Sequence, residues 1–139
     1  PLISYTELNK FILFFKKNKF DYVSNLAPPT YPEGYSIEII KTNLIKKIFN
    51  NNPGKKDKEH VTYSIVKKKI KCNSKNIKLF TNLHNYRLTC DYRSDLVKLN
   101  KIFKVFKFKV PTFDELRNNK IFLITSNSKF KKTRSIHYA

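Results

Sequence analysis

Short runs of β-favouring residues alternate along this chain with segments of helical spacing. Such alternation is typical of an α/β sandwich, in which helices cover the faces of a sheet. The predicted helices are 5–18, 41–50, 59–68 and 94–106, with a turn or short helix at 113–116, and the predicted strands are 21–24, 34–40, 77–82, 86–90 and 121–125. Loops are predicted at 25–32, which holds three prolines, and at 51–58.

Two details of these helices can be tested. The first helix is expected to begin near Ser4 or Thr6, and Asp57 is a candidate N-cap for the helix at 59–68. The stripe predicted to face the core of the first helix consists of Leu8, Phe11, Ile12 and Phe15.

The 139 residues are enough for one domain with a buried core, despite a net charge of +19. We see no internal boundary, and expect a domain over 1–118 with an extension of unknown role at 119–139.

No apolar run reaches the roughly 18 residues of a membrane span, and no secretory signal is visible. We therefore expect a cytoplasmic protein without membrane contact. Because the chain begins at Pro1, we interpret it as a fragment or a processed product.

The positive charge suggests nucleic acid as one partner, since basic domains neutralise phosphates. However, the sequence holds 25 Lys and only 4 Arg, and the lysines are spread along the chain. Arginine is the residue suited to bidentate phosphate and guanine contacts. The composition therefore favours a solvated lysine surface over a nucleic-acid face.

The two cysteines, Cys72 and Cys90, have no metal-binding spacing with each other or with a histidine. Reduced structural thiols are the simpler interpretation.

Glycine-rich phosphate-binding motifs are absent from the sequence. The remaining candidates for a functional site are acidic residues in a few short segments. In YPEGYSIEII (31–40), the Pro–Glu–Gly sequence predicts a turn at Gly34. If Ile37 and Ile39 face the core, Glu38 faces the other way. Glu38 then either lies in solvent or meets a polar ligand.

A second acidic segment is RLTCDYRSDL (87–96). Arg87, Thr89 and Asp91 would share one face of a strand, and Asp91 comes as that strand ends. A carboxylate there is suited to Mg²⁺, which typically takes one or two carboxylates plus substrate phosphates. From the spacing alone, the simpler interpretation makes Asp91 a turn or cap residue and Asp95 a helix-dipole partner.

The segment EHVT (59–62) places Glu59 and His60 at a predicted helix start. Capping explains them more simply than catalysis does.

The motifs TYPEGYSIEII, KEHVTYSIV and YRLTCDYRSDLVKLNKIF, preceded by PLIS and FDYVSN, occur in the order seen in the cytidylyltransferase family. The chain resembles acylneuraminate and 3-deoxy-manno-octulosonate cytidylyltransferases, and most of all their spore-coat polysaccharide branch. The resemblance covers residues 1 to about 106. Glu33 stands for the usual Asp of the turn, Ser36 stands where an acid is common, and Tyr63 replaces the usual Pro.

The resemblance implies the later half of a three-layer mononucleotide-binding fold, like that of nucleotide-diphospho-sugar transferases. It implies transfer of CMP from CTP to an acidic sugar, with release of pyrophosphate, in a homodimer. Asp91 would be one of two Mg²⁺ ligands, the other lying before Pro1, so we expect the chain alone to be inactive. The implied substrate-binding residues are Tyr31, Glu33, Gly34, Glu38, Glu59, His60, Arg87 and Asp95, with Pro32 in the same turn.

The alternative is a non-catalytic basic module that binds single-stranded nucleic acid through lysines and aromatic side chains.

Overall fold

The structure, a computed structural model, describes residues 2–119 and 121. Within them, helices and short strands form a mixed α/β arrangement, although they do not alternate one by one along the chain. In chain order the elements are α1 (Tyr5–Lys17), β1 (Tyr22–Ser24), β2 (Glu38–Ile40), α2 (Thr42–Asn50), α3 (Lys55–Glu59), α4 (Tyr63–Val66), β3 (Ser74–Asn76), α5 (Arg93–Val105) and α6 (Phe113–Asn118).

The three strands form one sheet in the order β2-β1-β3. The central strand β1 pairs with β2 antiparallel and with β3 parallel. All three residues of β1 are buried, so this strand lies in the interior of the fold. Strand β2 lies at one edge, where Ser24 of β1 faces Glu38.

The main hydrophobic core joins α1, β1, the 31–37 segment, α5 and α6. Tyr35 lies at its centre with no exposed surface, and its ring packs against Phe113 at a centroid distance of 5.0 Å. Burying a side chain of this size contributes about 1.5–3 kcal/mol. A second, smaller cluster under α2 consists of Tyr22, Leu44, Ile48 and Ile65.

Helix α1 begins where the sequence predicts, because the Ser4 side chain accepts a hydrogen bond from the backbone N–H of Glu7. Its predicted stripe is only partly right. Phe11 is buried, but Leu8 is 39% exposed, and the carboxylate-bearing Glu7 is buried instead. The helix is therefore rotated from the predicted orientation.

The predicted helix at 59–68 is wrong in its bounds. A short helix, α3, occupies part of the predicted loop at 51–58 and ends at Glu59, and the next, α4, begins only at Tyr63. Asp57 lies inside α3, where its Oδ2 accepts from the Gly54 backbone N–H at 3.2 Å. It therefore secures the start of α3 and does not cap a helix at 59.

Three predicted strands also differ from the structure. The strand expected at 34–40 spans only Glu38–Ile40. The strand expected at 77–82 lies at Ser74–Asn76, because that segment pairs with β1. The segment 86–90 makes a single bridge, between Arg87 and Glu33, and no ladder. The strand expected at 121–125 lies outside the described residues except for Ile121, which is buried.

Among the described residues, no helix is long and apolar enough to cross a membrane.

Candidate functional site

The turn at 31–35 is built around Gly34. Its φ is +89°, and the backbone N–H of Tyr35 donates to the Pro32 carbonyl at 3.0 Å. A side chain at Gly34 would meet the backbone of Leu88 and Thr89 at 2.8 Å. Glycine is needed here for both its conformation and its lack of a Cβ. The turn therefore lies directly against the 86–90 segment.

Backbone hydrogen bonds hold the two segments together. The N–H of Glu33 donates to the Tyr86 carbonyl, and the N–H of Leu88 donates to the Glu33 carbonyl, both at 2.8 Å. These bonds place the side chains of Glu33 and Arg87 next to each other, although the residues are 54 positions apart. The YPEG turn and the RLTCD segment, which are far apart in the sequence, therefore contact each other in the structure.

Arg87 lies at the centre of this place and contacts three carboxylates. Its Nη1 donates to Glu33 Oε1 at 2.8 Å, and its Nη2 donates to Asp91 Oδ2. Its Nε lies 3.4 Å from each carboxylate oxygen of Asp95. We call Glu33, Arg87, Asp91 and Asp95 the Arg87 cluster. Burial alone would lower the pKa of Arg87, but hydrogen bonding to Asp95 and the neighbouring Glu33 raise it overall, so the guanidinium stays charged.

Asp95 anchors the cluster from inside the protein. It is 2% exposed, and its Oδ2 accepts from the backbone N–H groups of Asp91 and Tyr92 at 3.0 and 3.2 Å. Burial by itself raises the pKa of Asp95, but the Asp91 N–H and the Arg87 guanidinium outweigh it, and the pKa is lowered. Asp95 is therefore ionised at neutral pH and fixes the start of α5.

Asp91 is the most exposed acid of the cluster, with 61% of its side chain accessible. It does not end a regular strand, because 86–90 forms none, and its carboxylate is paired with Arg87. Among the described residues, no group of three or more His, Cys, Asp or Glu side chains is arranged to hold a metal ion.

Glu38 belongs to a separate contact group at the sheet edge. Its Oε1 accepts from the Tyr22 hydroxyl at 2.5 Å and from the Thr62 hydroxyl at 2.8 Å. Glu38 is nevertheless exposed. It points away from the core, as the alternation predicts, and both of these hydroxyls hold it in place.

The remaining predicted site residues lie elsewhere. Tyr31 is 6% exposed and packs against Phe11 and Phe113, and burial raises its pKa to about 12. Glu59 ends α3, and His60 is the C-cap, with 3.9 Å between His60 Nε2 and Glu59 Oε1. The structure therefore gives Tyr31 a place in the core, and it places Glu59 and His60 next to each other at the end of α3.

Comparison with solved structures finds a similar fold in a cytidylyltransferase from Leptospira borgpetersenii serovar Hardjo-bovis (strain JB197). The TM-score is 0.83 at 22% sequence identity, over 94% of this chain. The chain shares that fold. It spans 57% of the length of the Leptospira protein. Comparison with protein-family models and with curated proteins gave no match.

Tyr22 and Thr62, whose hydroxyls bond to Glu38, were not predicted as site residues. Thr62 lies within the EHVT segment, and Tyr22 lies in the predicted strand at 21–24. Nothing in their spacing from Glu38 indicated a contact, because Tyr22 and Thr62 are 16 and 24 positions away. Both contacts depend on how β1 and the turn after His60 pack against β2.

Proposed function

We propose that this chain forms the acceptor-sugar side of a cytidylyltransferase, in the later half of a three-layer nucleotide-binding fold. The observation that carries the proposal is the Arg87 cluster. It joins the YPEG turn to the RLTCD segment, the two motifs whose order resembles the family, and it does so within a fold shared with a cytidylyltransferase.

In the proposed reaction, a hydroxyl group of an acidic sugar attacks the α-phosphorus of CTP. The bond from the α-phosphorus to the oxygen that bridges it to the β-phosphorus breaks, pyrophosphate leaves, and the proton of the sugar hydroxyl passes to solvent. Catalysis of this kind depends on positioning and on charge stabilisation more than on covalent chemistry. Bound Mg²⁺ would neutralise the charge on the phosphates.

The described residues would contribute to this reaction in two ways. Asp91 would supply one oxygen ligand to Mg²⁺, because its carboxylate is the most accessible of the Arg87 cluster. Glu33 and Glu38 would accept hydrogen bonds from sugar hydroxyls, for which ionised carboxylates are strong acceptors. Glu33 is 46% exposed and thus open to a ligand.

The test is pyrophosphate release from CTP and Mg²⁺ in the presence of a panel of acidic and neutral sugars. It should be run with the 139-residue chain and with the longer protein that would contain it. We expect product only with the longer protein and an acidic sugar. Asp91→Asn should abolish release. Asp114→Asn, an exposed acid on α6 outside the cluster, should not change it.

Pyrophosphate release that does not depend on a sugar would contradict the proposal. So would the absence of any pyrophosphate release by the longer protein. Salt-sensitive binding of random oligonucleotides without any pyrophosphate release would support the nucleic-acid module instead.

A further inference from the structure

A cavity of about 320 Å³ lies between α2 and the pair of helices α3 and α4, and it shares no lining residue with the Arg87 cluster. Ile48 and Ser64, which are buried, line its inner side. Asn51, Asn52 and Lys69, which are exposed, line its mouth. Sites for small molecules have volumes of about 300–1,000 Å³. The cavity is therefore large enough for a small metabolite.

The chain around this cavity is unusually basic. Residues 55–71 hold seven lysines against Asp57 and Glu59, a net charge of +5 on 17 residues, whereas the whole chain carries +19 on 139. The fold brings the two ends of this segment together, because α3 packs against α4 and the Ser64 hydroxyl donates to Asp57. Lysines that are separated in the sequence thus add to one positive field at the cavity.

Two of these lysines are held beside the same aromatic ring. The Nζ atoms of Lys56 and Lys69 lie 5.4 and 5.0 Å from the centre of the Tyr63 ring, within the range of a cation–π contact. Lys10 and Lys41 form ion pairs with acids, but neither Lys56 nor Lys69 forms such a pair with the described residues. Both ammonium groups are therefore positioned at the cavity without a carboxylate in direct contact.

Asp57 is the acid that lines the cavity, and both of its oxygens bind groups of the protein. Its Oδ1 accepts from the Ser64 hydroxyl, and its Oδ2 accepts from the Gly54 backbone N–H at 3.2 Å. The hydrogen bond from Ser64, together with that from Gly54 and the charge of Lys69, lowers the pKa of Asp57, so it is ionised at neutral pH. Its single negative charge balances only one of the two ammonium groups. The cavity therefore favours an anionic ligand.

We propose that this cavity binds a small phosphorylated molecule, with its phosphate at Lys56 and Lys69 and its polar body between Asn51 and Asn52. Lysine ammonium groups are common phosphate ligands. A phosphomonoester carries about −1.5 to −2 charges at pH 7, which suits two ammonium groups better than a single carboxylate does. The two asparagine amides offer donors and acceptors to hydroxyl groups. A sugar phosphate and a nucleoside monophosphate share this chemistry.

Isothermal titration calorimetry of the 139-residue chain tests the proposal, with glucose 6-phosphate and CMP as probes. Inorganic phosphate, glucose and cytidine are the controls for the two parts of the ligand. We expect at least one phosphorylated probe to bind roughly tenfold or more tightly than inorganic phosphate and than its own unphosphorylated counterpart. The tighter of the two probes then identifies the body as a sugar or a nucleoside.

Exposed lysines allow substitutions that leave the core intact. Lys69→Gln should weaken binding of that probe roughly tenfold, and Lys56→Gln at least about threefold, from loss of a charge-assisted contact to phosphate. The matched control is Lys104→Gln, which removes an exposed lysine of α5 outside the cavity. It should change the affinity less than about twofold, because salt screens distant surface charges.

A second measurement needs no variant. In ¹H–¹⁵N NMR spectra of the unmodified chain, the probe that binds should shift the amide signals of Gly54, Ser64 and Lys69 along one titration curve. The amide signal of Asp91, in the Arg87 cluster, should stay unchanged.

Several outcomes would overturn the proposal. They are no binding of either phosphorylated probe, binding no tighter than that of inorganic phosphate, an equal loss in Lys69→Gln and Lys104→Gln, and amide shifts confined to residues outside the cavity. Tighter binding of random single-stranded oligonucleotides than of either probe would also overturn it, in favour of a nucleic-acid face. The proposed transferase function depends on pyrophosphate release by the longer protein, so it stands or falls separately.

Discussion

The hydroxyl of Thr62 donates a hydrogen bond to the carboxylate of Glu38, at 2.8 Å to Oε1 and 3.2 Å to Oε2. Thr62 is 6% exposed, whereas Glu38 lies at the surface on the edge strand β2. The contact ties the turn before α4 to the sheet. It also limits the directions in which the Glu38 carboxylate can point.

Removal of the Thr62 hydroxyl should destabilise the fold moderately. Thr62→Val keeps the shape of the side chain but leaves Glu38 with one hydroxyl partner fewer, so we expect a loss of about 0.5–1.5 kcal/mol in the free energy of unfolding. Thr62→Ser keeps the hydroxyl and should lose less. Urea unfolding followed by circular dichroism measures both. Equal stability of the valine variant and the unmodified chain would show that the bond contributes nothing.

Asp95 should make stability depend on pH in the acid range. Its pKa is lowered in the folded chain from an ordinary value of 3.8, so the folded state favours the charged form. This contribution is fully present above pH 3.8 and is lost as the pH falls through the lower, folded value. Asp95→Asn should be less stable than the unmodified chain at pH 7, and the difference should shrink below pH 3.8. Urea unfolding between pH 7 and pH 2.5 tests this, and a constant difference would contradict it.

The two glycines of the chain should differ sharply in their tolerance of alanine. At Gly34, with a φ of +89°, the new Cβ would meet backbone atoms at 2.8 Å. At Gly54 the nearest atom is a flexible Asp57 oxygen at 3.6 Å. We expect Gly34→Ala to cost at least about 1–3 kcal/mol, and Gly54→Ala to cost at most about 1 kcal/mol, as at an N-cap. Thermal unfolding of both variants provides the comparison, and equal losses would refute it.

The long helices could be predicted from the sequence because each has an amphipathic period. Helices α1, α2 and α5 agree with the predictions to within one or two residues. The short elements could not be predicted in this way. At 59–68 the apolar residues suggested one helix, but the hydrogen bond from Gly54 to Asp57 secures an earlier one. At 86–90 the β-favouring residues bond to a turn instead of a strand, a tertiary contact that no local pattern encodes.

The candidate site shows the same division. The alternation of apolar residues in β2 correctly predicted that Glu38 points away from the core. The meeting of Glu33 with Arg87 could not be derived from residue types, since it depends on how the turn at Gly34 packs against Leu88. The sequence resemblance implied that both residues bind substrate, and their contact with each other came only from the structure.

Glu38→Gln distinguishes a ligand contact from a scaffold contact. Glutamine keeps the size of the side chain and one acceptor oxygen for Thr62 or Tyr22, and Glu38 is exposed, so we expect stability to change by no more than about 1 kcal/mol. If Glu38 binds the acceptor sugar, loss of a charge-assisted hydrogen bond should cost about 1.5–3 kcal/mol in the transition state, a roughly ten- to hundredfold loss in kcat/KM for the sugar. The KM for CTP should stay nearly constant, because the nucleotide does not contact this carboxylate in the proposed arrangement. Steady-state kinetics of the longer protein, with Asp114→Asn as the matched exposed control, measures both parameters. An equal loss for both substrates, or no loss for either, would show that Glu38 serves only to join β2 to Tyr22 and Thr62.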